Sequence, residues 1–216
     1  MESYKKQFLE LSLKFGALRF GKFTLKSGRV SPYFFNAGLL NTGQAAAKLG
    51  RCYALALATM DLKYDMMFGL AYKAIPLVSL TAAALADHHD MDYPFAYNRK
   101  EAKDHGEGGA TIGAPLQGRV LILDDVITAG TTIKEAISII RGAGGTPSSI
   151  LVALDREEVG NDSRMPAVRE LEEELSLPIR SIISLGDLVN YLKEGREFSE
   201  YLPAVQAYRN RYGVTP

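Results

Sequence analysis

Apolar positions recur along the chain with two alternating periods. Phe8, Leu11 and Phe15 fall three to four residues apart, as do Ala46, Leu49, Tyr53, Ala56 and Leu57. Ala74, Leu77, Val78, Thr81, Ala82 and Leu85 repeat the spacing, and so do Ile133, Ala136, Ile137 and Ile140. Side chains so spaced share one face of a helix, so the pattern predicts four helices with an apolar stripe. Between them lie apolar runs of strand length: 66–68, 94–97, 120–123, 150–154 and 179–183. Strands that alternate with helices predict one α/β domain over 1–216, with a mainly parallel central sheet flanked by helices. Gly142 to Pro147 reads as a helix stop and a turn into the next strand. Residues 22–36 alternate differently and predict a small antiparallel hood, its elements spanning approximately 1–40.

In such sheets ligands gather at the carboxyl ends of the strands, near the point where the strand order reverses. Three segments fall there: 69–73, 98–109 and 124–132. The third says most. Val120-Leu121-Ile122-Leu123 delivers Asp124 and Asp125 to the sheet edge, and Val126, Ile127, Thr128, Ala129, Gly130, Thr131 and Thr132 lead into a helix. Unpaired amides at a helix start attract phosphate, glycine lets a ligand come close, and threonine hydroxyls add donors. Two carboxylates facing the same phosphate would repel it. Asp124 and Asp125 therefore suit two sugar hydroxyls, or a place beside a hydrated Mg²⁺. An acidic strand end before a Thr-capped helix is common, but this combination reads a phosphate and its ribose together.

Composition narrows the classes. At 216 residues there is room for one generous domain, and 25 basic against 25 acidic residues leave no field to gather nucleic acid or an anionic membrane. Any anionic ligand must be held by local geometry. No apolar run is long enough to span a bilayer, and Met1 to Lys6 lead into an amphipathic pattern rather than a signal peptide. The single Cys52 excludes an intrachain disulfide and fits a reducing cytoplasm, and its place in the second helical stripe predicts a core residue. Residues 99–109 are charged but internally balanced and read on composition equally as a solvated surface loop; their place at the active edge and Gly106, Gly108 and Gly109 favour a lid, whose Arg99, Lys100 and Lys103 could hold a leaving anion. Arg156 follows the 150–154 run, and a guanidinium fork there suits a carboxylate on the ligand.

The 120–132 stretch resembles the phosphoribosyl pyrophosphate (PRPP) signature of type I phosphoribosyltransferases. The chain is similar to the bacterial orotate phosphoribosyltransferase family over nearly its whole length. The shared pieces are Phe23-Thr24-Leu25-Lys26-Ser27-Gly28, Ser31-Pro32-Tyr33-Phe34-Phe35-Asn36, Ala71-Tyr72-Lys73 and the segment from Asn98 to Gly109. The resemblance implies a type I phosphoribosyltransferase fold with a flexible loop at 99–109 that closes over the neighbouring subunit of a homodimer. It implies transfer of ribose 5-phosphate from PRPP to orotate, with Mg²⁺ bound mainly through the pyrophosphate and no protein ligand to it assigned. Lys103 would be the principal stabiliser of the leaving group, aided by Arg99, Lys100, Lys73 and His105. Tyr72 and Lys73 would hold pyrophosphate, Lys26 would reach both base and PRPP, and Phe34 or Phe35 would line the base.

Two positions depart from the family. Leu70 stands where Pro is usual and Ala74 where Gly is usual, which predicts a looser loop and a restricted backbone approach. Some patterns are decoys. Gly16 to Lys22 has phosphate-loop spacing, but Phe23 replaces the needed hydroxyl and a helix rather than a strand precedes it. His88-His89-Asp90 reads as a helix end, and Glu172-Glu173-Glu174 with Arg164 and Arg169 as a solvated helix face. Three other functions compete: transfer to a purine, a PRPP-sensing regulator and a phosphoryl-accepting signalling domain. The region from Lys26 to Asn36 with Arg156, the absence of a basic recognition helix, and the Thr/Gly loop after Asp125 speak against each in turn.

Overall fold

The five apolar runs become strands, and the order in which they pair decides where a site can form. The computed structural model describes residues 1–103, 109–127, 130–160, 165–195 and 197–213, with backbone alone for 101–103 and 109. The elements are α1 (Ser3–Lys14), β1 (Leu18–Thr24), β2 (Val30–Phe35), α2 (Gly43–Thr59), β3 (Met66–Gly69), α3 (Ala74–His89), β4 (Phe95–Lys103) and β5 (Gly109–Gly113). There follow β6 (Arg119–Val126), α4 (Thr131–Gly142), β7 (Thr146–Asp155), α5 (Ala167–Leu175), β8 (Ile179–Ser184), α6 (Leu185–Glu194) and α7 (Leu202–Tyr212). The main sheet runs β5-β4-β3-β6-β7-β8, parallel except for the antiparallel edge pair β4–β5. After β3 the chain steps outward to β4, then returns to β6 on the other side. Loops leaving β3 and β6 therefore part in opposite directions and open a crevice between them.

Successive strand residues point to opposite faces, and the two cores divide accordingly. Leu121, Leu123, Leu151 and Ala153 join Leu49, Tyr53, Leu77 and Val78 of α2 and α3. Val120, Ile122, Ile150 and Val152 join Ile133, Ala136, Ile137 and Ile140 of α4. All four predicted helices are present with their apolar stripes inward, and Cys52 is buried as expected. The end of α3 carries His88 and His89, with Asp90 as a left-handed cap. Among the described residues, no helix is long and apolar enough to cross a membrane.

The 22–36 region forms the expected antiparallel pair, β1 against β2, and α1 packs with it in the main core, where Phe8 and Leu9 are fully buried. The structure corrects the sequence reading at two places. The segment from Arg99 to Lys103 continues β4 as a strand, and Lys103 pairs with Gly109 of β5. Its polar sequence gave no strand period to read. Residues 104–108 lie outside the described residues. Glu172 is no solvated acid: its side chain is only 13% exposed, and it takes hydrogen bonds from the Ile179 amide at 2.7 Å, Arg180 at 2.9 Å and Arg169 at 3.1 Å. Burial with three donors lets one carboxylate tie α5 to the start of β8.

Strands β7 and β8 are followed by elements the periodicity missed. The α6 start carries a capping box, in which the Ser184 hydroxyl accepts from the Asp187 amide and Asp187 accepts from the Ser184 amide. Helices α2 and α3 approach so closely that Gly50 is sterically required. A methyl group there would sit 2.5 Å from the Leu80 carbonyl oxygen and 2.8 Å from its carbon. Gly50→Ala would gain about 1 kcal/mol of helix propensity. Overpacking against rigid backbone costs about 1–3 kcal/mol, so the clash prevails. Urea denaturation should show a lower midpoint for Gly50→Ala; an unchanged or higher midpoint would mean the helices can separate at no cost.

Candidate active site

Buried β6 ends by turning two acids toward the crevice. Asp124 and Asp125 are 8% and 5% exposed. Each closes on the amide that follows it: Asp124 Oδ1 accepts from Asp125 N at 2.8 Å, and Asp125 Oδ1 from Val126 N at 2.8 Å. From behind, the buried Tyr53 hydroxyl of α2 donates to the Asp124 carbonyl at 2.8 Å. The strand end is thus pinned on both sides. Burial pushes the Asp124 carboxyl up to about 7, with the Asp125 carboxylate adding to the shift. Such a crowded pair gains from a partner that supplies hydroxyl donors or positive charge. Beyond it, Val126 and Ile127 pack their side chains against the two opposite cores, which leaves only backbone to face a ligand. Thr128 and Ala129 lie outside the described residues.

Gly130 caps α4 with φ of 71°, a left-handed conformation that favours glycine, and a methyl there would meet Leu171 Cδ1 at 2.9 Å. Thr131 and Thr132 open the helix and are exposed. Across the crevice, the loop after β3 carries Ala71, Tyr72 and Lys73, with a cis peptide between Ala71 and Tyr72. Lys73 Nζ stands 3.1 Å from Asp125 Oδ2, joining the two loops over the switch point. Asn98 of β4, only 4% exposed, accepts from the Ala71 amide at 2.6 Å and so holds this loop to the neighbouring strand. Leu70 and Ala74 are buried in the two cores, at 6% and 1% exposure.

Residues 38–184 match the phosphoribosyl transferase domain family. The orotate phosphoribosyltransferase of Thioalkalivibrio sulfidiphilus is 56% identical over 214 residues, which cover 99% of this chain and 100% of that protein. That of Pseudomonas syringae is 52% identical over the same coverage. The crystal structure of the Francisella tularensis orotate phosphoribosyltransferase aligns with a TM-score of 0.85 at 38% identity, covering 96% of this chain and 99% of that one. The chain belongs to the orotate phosphoribosyltransferase family.

For an orotate phosphoribosyltransferase the arrangement gathers several residues the sequence singled out and separates others. Lys73 meets Asp125, and Lys100 Nζ lies 5.1 Å from the centre of the Tyr72 ring, which is 67% exposed. Arg99 follows Asn98 on β4, with its Nη1 buried and without a hydrogen-bond partner among the described residues. Lys26 is exposed in the turn of the hood hairpin, where Leu25 N donates to Arg29 O at 2.9 Å. The Phe35 ring belongs to the main core, 5.9 Å from Phe8, which leaves Phe34 as the ring of the two that does not face the core. Phe34 points to the other face and stacks on Phe23 at 5.5 Å. Arg156, its side chain only 18% exposed, reaches the hood by donating to the Ser31 hydroxyl at 3.0 Å. The Lys103 side chain and all of His105 lie outside the described residues.

Sequence reading assigned no role to Asn98 or Tyr53. A signal existed for Asn98: it shares its strand face with Ala96, so a polar residue stands where the alternation calls for a buried one. Tyr53 looked like any aromatic in a helical stripe, and only the tertiary fold shows where its hydroxyl ends.

The raised Asp124 carboxyl gives a test without any ligand. An unfolded Asp titrates near ~3.9, whereas the folded Asp124 titrates at about 7. Between those values the native state holds the extra proton, so this group's contribution to stability falls as pH rises and levels off above the folded value. Asparagine has no proton to lose. The melting temperature of Asp124→Asn relative to wild type should climb from about pH 5 to about pH 7.5. Parallel curves for the two proteins would show that Asp124 is not strained by its surroundings.

Proposed function

We propose that this chain transfers the 5-phosphoribosyl group of PRPP to N1 of orotate, giving orotidine 5'-monophosphate and pyrophosphate in the synthesis of pyrimidine nucleotides. The observation that carries the reading is the meeting of Lys73 and Asp125 at 3.1 Å across the switch point, in a chain 56% identical to an orotate phosphoribosyltransferase over its whole length. The anomeric C–O bond of PRPP breaks as the N1–C1' bond forms, and the N1 proton is released. Positive charge grows on the ribose ring and negative charge on pyrophosphate, so catalysis is positioning and electrostatic stabilisation with no protein nucleophile.

Asp124 and Asp125 accept from the ribose hydroxyls, which relieves the crowding that raises the Asp124 carboxyl. The backbone from Val126 to Thr132 cradles the 5'-phosphate at the α4 start. Lys73, Arg99, Lys100, Lys103 and His105 hold the departing pyrophosphate. Lys26 spans base and PRPP, and Arg156 takes the carboxylate that distinguishes orotate from other bases. Asp124 and Asp125, paired acids 8% and 5% exposed at the crevice, would sit beside a hydrated Mg²⁺, which when bound would help neutralise the leaving group. The active form is a homodimer in which residues 99–109 of one subunit complete the site of the other, working in the cytoplasm. The 67% exposed Tyr72 ring beside the crevice supports a surface that another subunit covers.

The test is loss of orotate ultraviolet absorbance on mixing with PRPP and Mg²⁺, with hypoxanthine, adenine and uracil in parallel. Consumption of orotate that needs every component is expected. Transfer to another base alone would overturn the substrate, and PRPP binding without turnover would favour a regulator. Lys103→Ala should lower kcat at saturating PRPP by on the order of 10²-fold, the usual loss of one transition-state donor. Normal turnover would remove Lys103 from its role.

A further inference from the structure

The Arg156 guanidinium is fixed on almost every side. Its Cζ lies 4.4 Å from the centre of the fully buried Tyr33 ring, which sets its plane. Nε donates to Glu158 Oε1 at 2.7 Å, while Nη2 donates to Ser31 Oγ at 3.0 Å and to the Tyr208 hydroxyl at 3.3 Å. Among the described residues Nη1 has no hydrogen-bond partner. A guanidinium carries five N–H donors in a rigid fork, so once Nε and Nη2 are held the direction of Nη1 is set too.

Glu158 is the hub of this arrangement. Its Oε1 also accepts from the Tyr208 hydroxyl at 2.8 Å, and its Oε2 accepts from Arg29 Nη1 at 3.0 Å. Arg29 in turn donates to the Val159 carbonyl at 3.1 Å and lies over the Tyr212 ring. Three separate parts of the chain thus converge: Arg29 and Ser31 from the hood, Arg156 and Glu158 from the end of β7, Tyr208 and Tyr212 from α7. Two guanidiniums share one carboxylate, and their side chains are only 15% and 18% exposed. Neighbouring acids are engaged elsewhere. Asp155 Oδ1 accepts from the Glu157 amide at 2.8 Å, and Glu157 Oε2 accepts from the Gly186 amide at 2.8 Å. Taken by themselves, Arg29, Arg156 and Glu158 carry one more positive than negative charge in a half-buried place, which a ligand carboxylate can balance.

We propose that Glu158 is the positioning residue that presents Arg156 to the carboxylate of the base, with Tyr208 and Arg29 setting Glu158 in turn. Selection of a carboxylated pyrimidine then depends on how α7 and the hood dock, not on Arg156 alone. The proposal rests on the reading of Arg156 given above.

A double-mutant cycle with kinetic readout tests it. KM for orotate, KM for PRPP, kcat and the preference for orotate over uracil are measured for wild type, Glu158→Gln, Arg156→Ala and the double variant. Glu158→Gln should raise the orotate KM about tenfold or more, leave the PRPP KM within about twofold, and reduce the preference for orotate. In the Arg156→Ala background the same substitution should change the orotate KM by less than about twofold, because its effect passes through Arg156. Equal effects on both KM values, or an undiminished effect without Arg156, would overturn the proposal and leave Glu158 as a fastener of α7. Tyr208→Phe removes one hydroxyl and should give the same signature more weakly; it decides the matter if Glu158→Gln does not fold. If Arg156→Ala turns over with an unchanged orotate KM, this inference falls while the activity stands. If wild type consumes no orotate, the assigned activity itself has failed.

Discussion

Burial of β3, β6 and β7 on both faces is the constraint from which the rest of the molecule follows. Strands covered on both sides by helices make an unpaired charge costly along their length, so charged chemistry gathers at their ends. The strand order then selects which ends matter. Only between β3 and β6 do consecutive loops diverge, and there Lys73 and Asp125 meet. The hood and α7 assemble around the next strand end along, that of β7, where Arg156 emerges.

The crevice is held open by groups that a ligand never needs to touch. Tyr53 grips the Asp124 carbonyl, Asn98 grips the Ala71 amide, and Leu70 and Ala74 anchor their loop in the two cores. Each fixes backbone, so the charged side chains start from defined positions and little reorganisation is left for the moment of reaction. The cost appears in Asp124, whose carboxyl is kept in a place that resists its charge. Such local discomfort is common where a structure is built around a molecule rather than around itself.

Much of this was legible in the sequence. The four helical stripes and five apolar runs fell where the elements are, because both periods express burial and burial dominates folding. The Asp124 to Thr132 turn was readable since its chemistry is local: strand, acids, glycine, helix start. What escaped reading was of two kinds. Arg99 to Lys103 is a strand on the sheet edge with no apolar alternation, so pairing with β5 and not side-chain pattern makes it extended. Glu172, Glu158 and Tyr208 gain their roles from partners as far as 129 positions away, as Arg29 is from Glu158, and no window along a sequence shows such pairs. Phe34 and Phe35 are neighbours on one strand and so face opposite sides, yet which side meets the core required the fold.

Gly130 and Leu171 link two parts of the molecule that no reaction scheme would join. The leucine of α5 fills the space a side chain at 130 would occupy, so α5 forms the roof above the turn into α4. Helix α5, which touches neither base nor ribose in this scheme, is thereby packed directly on the turn into α4, so the shape of that turn depends on where α5 sits.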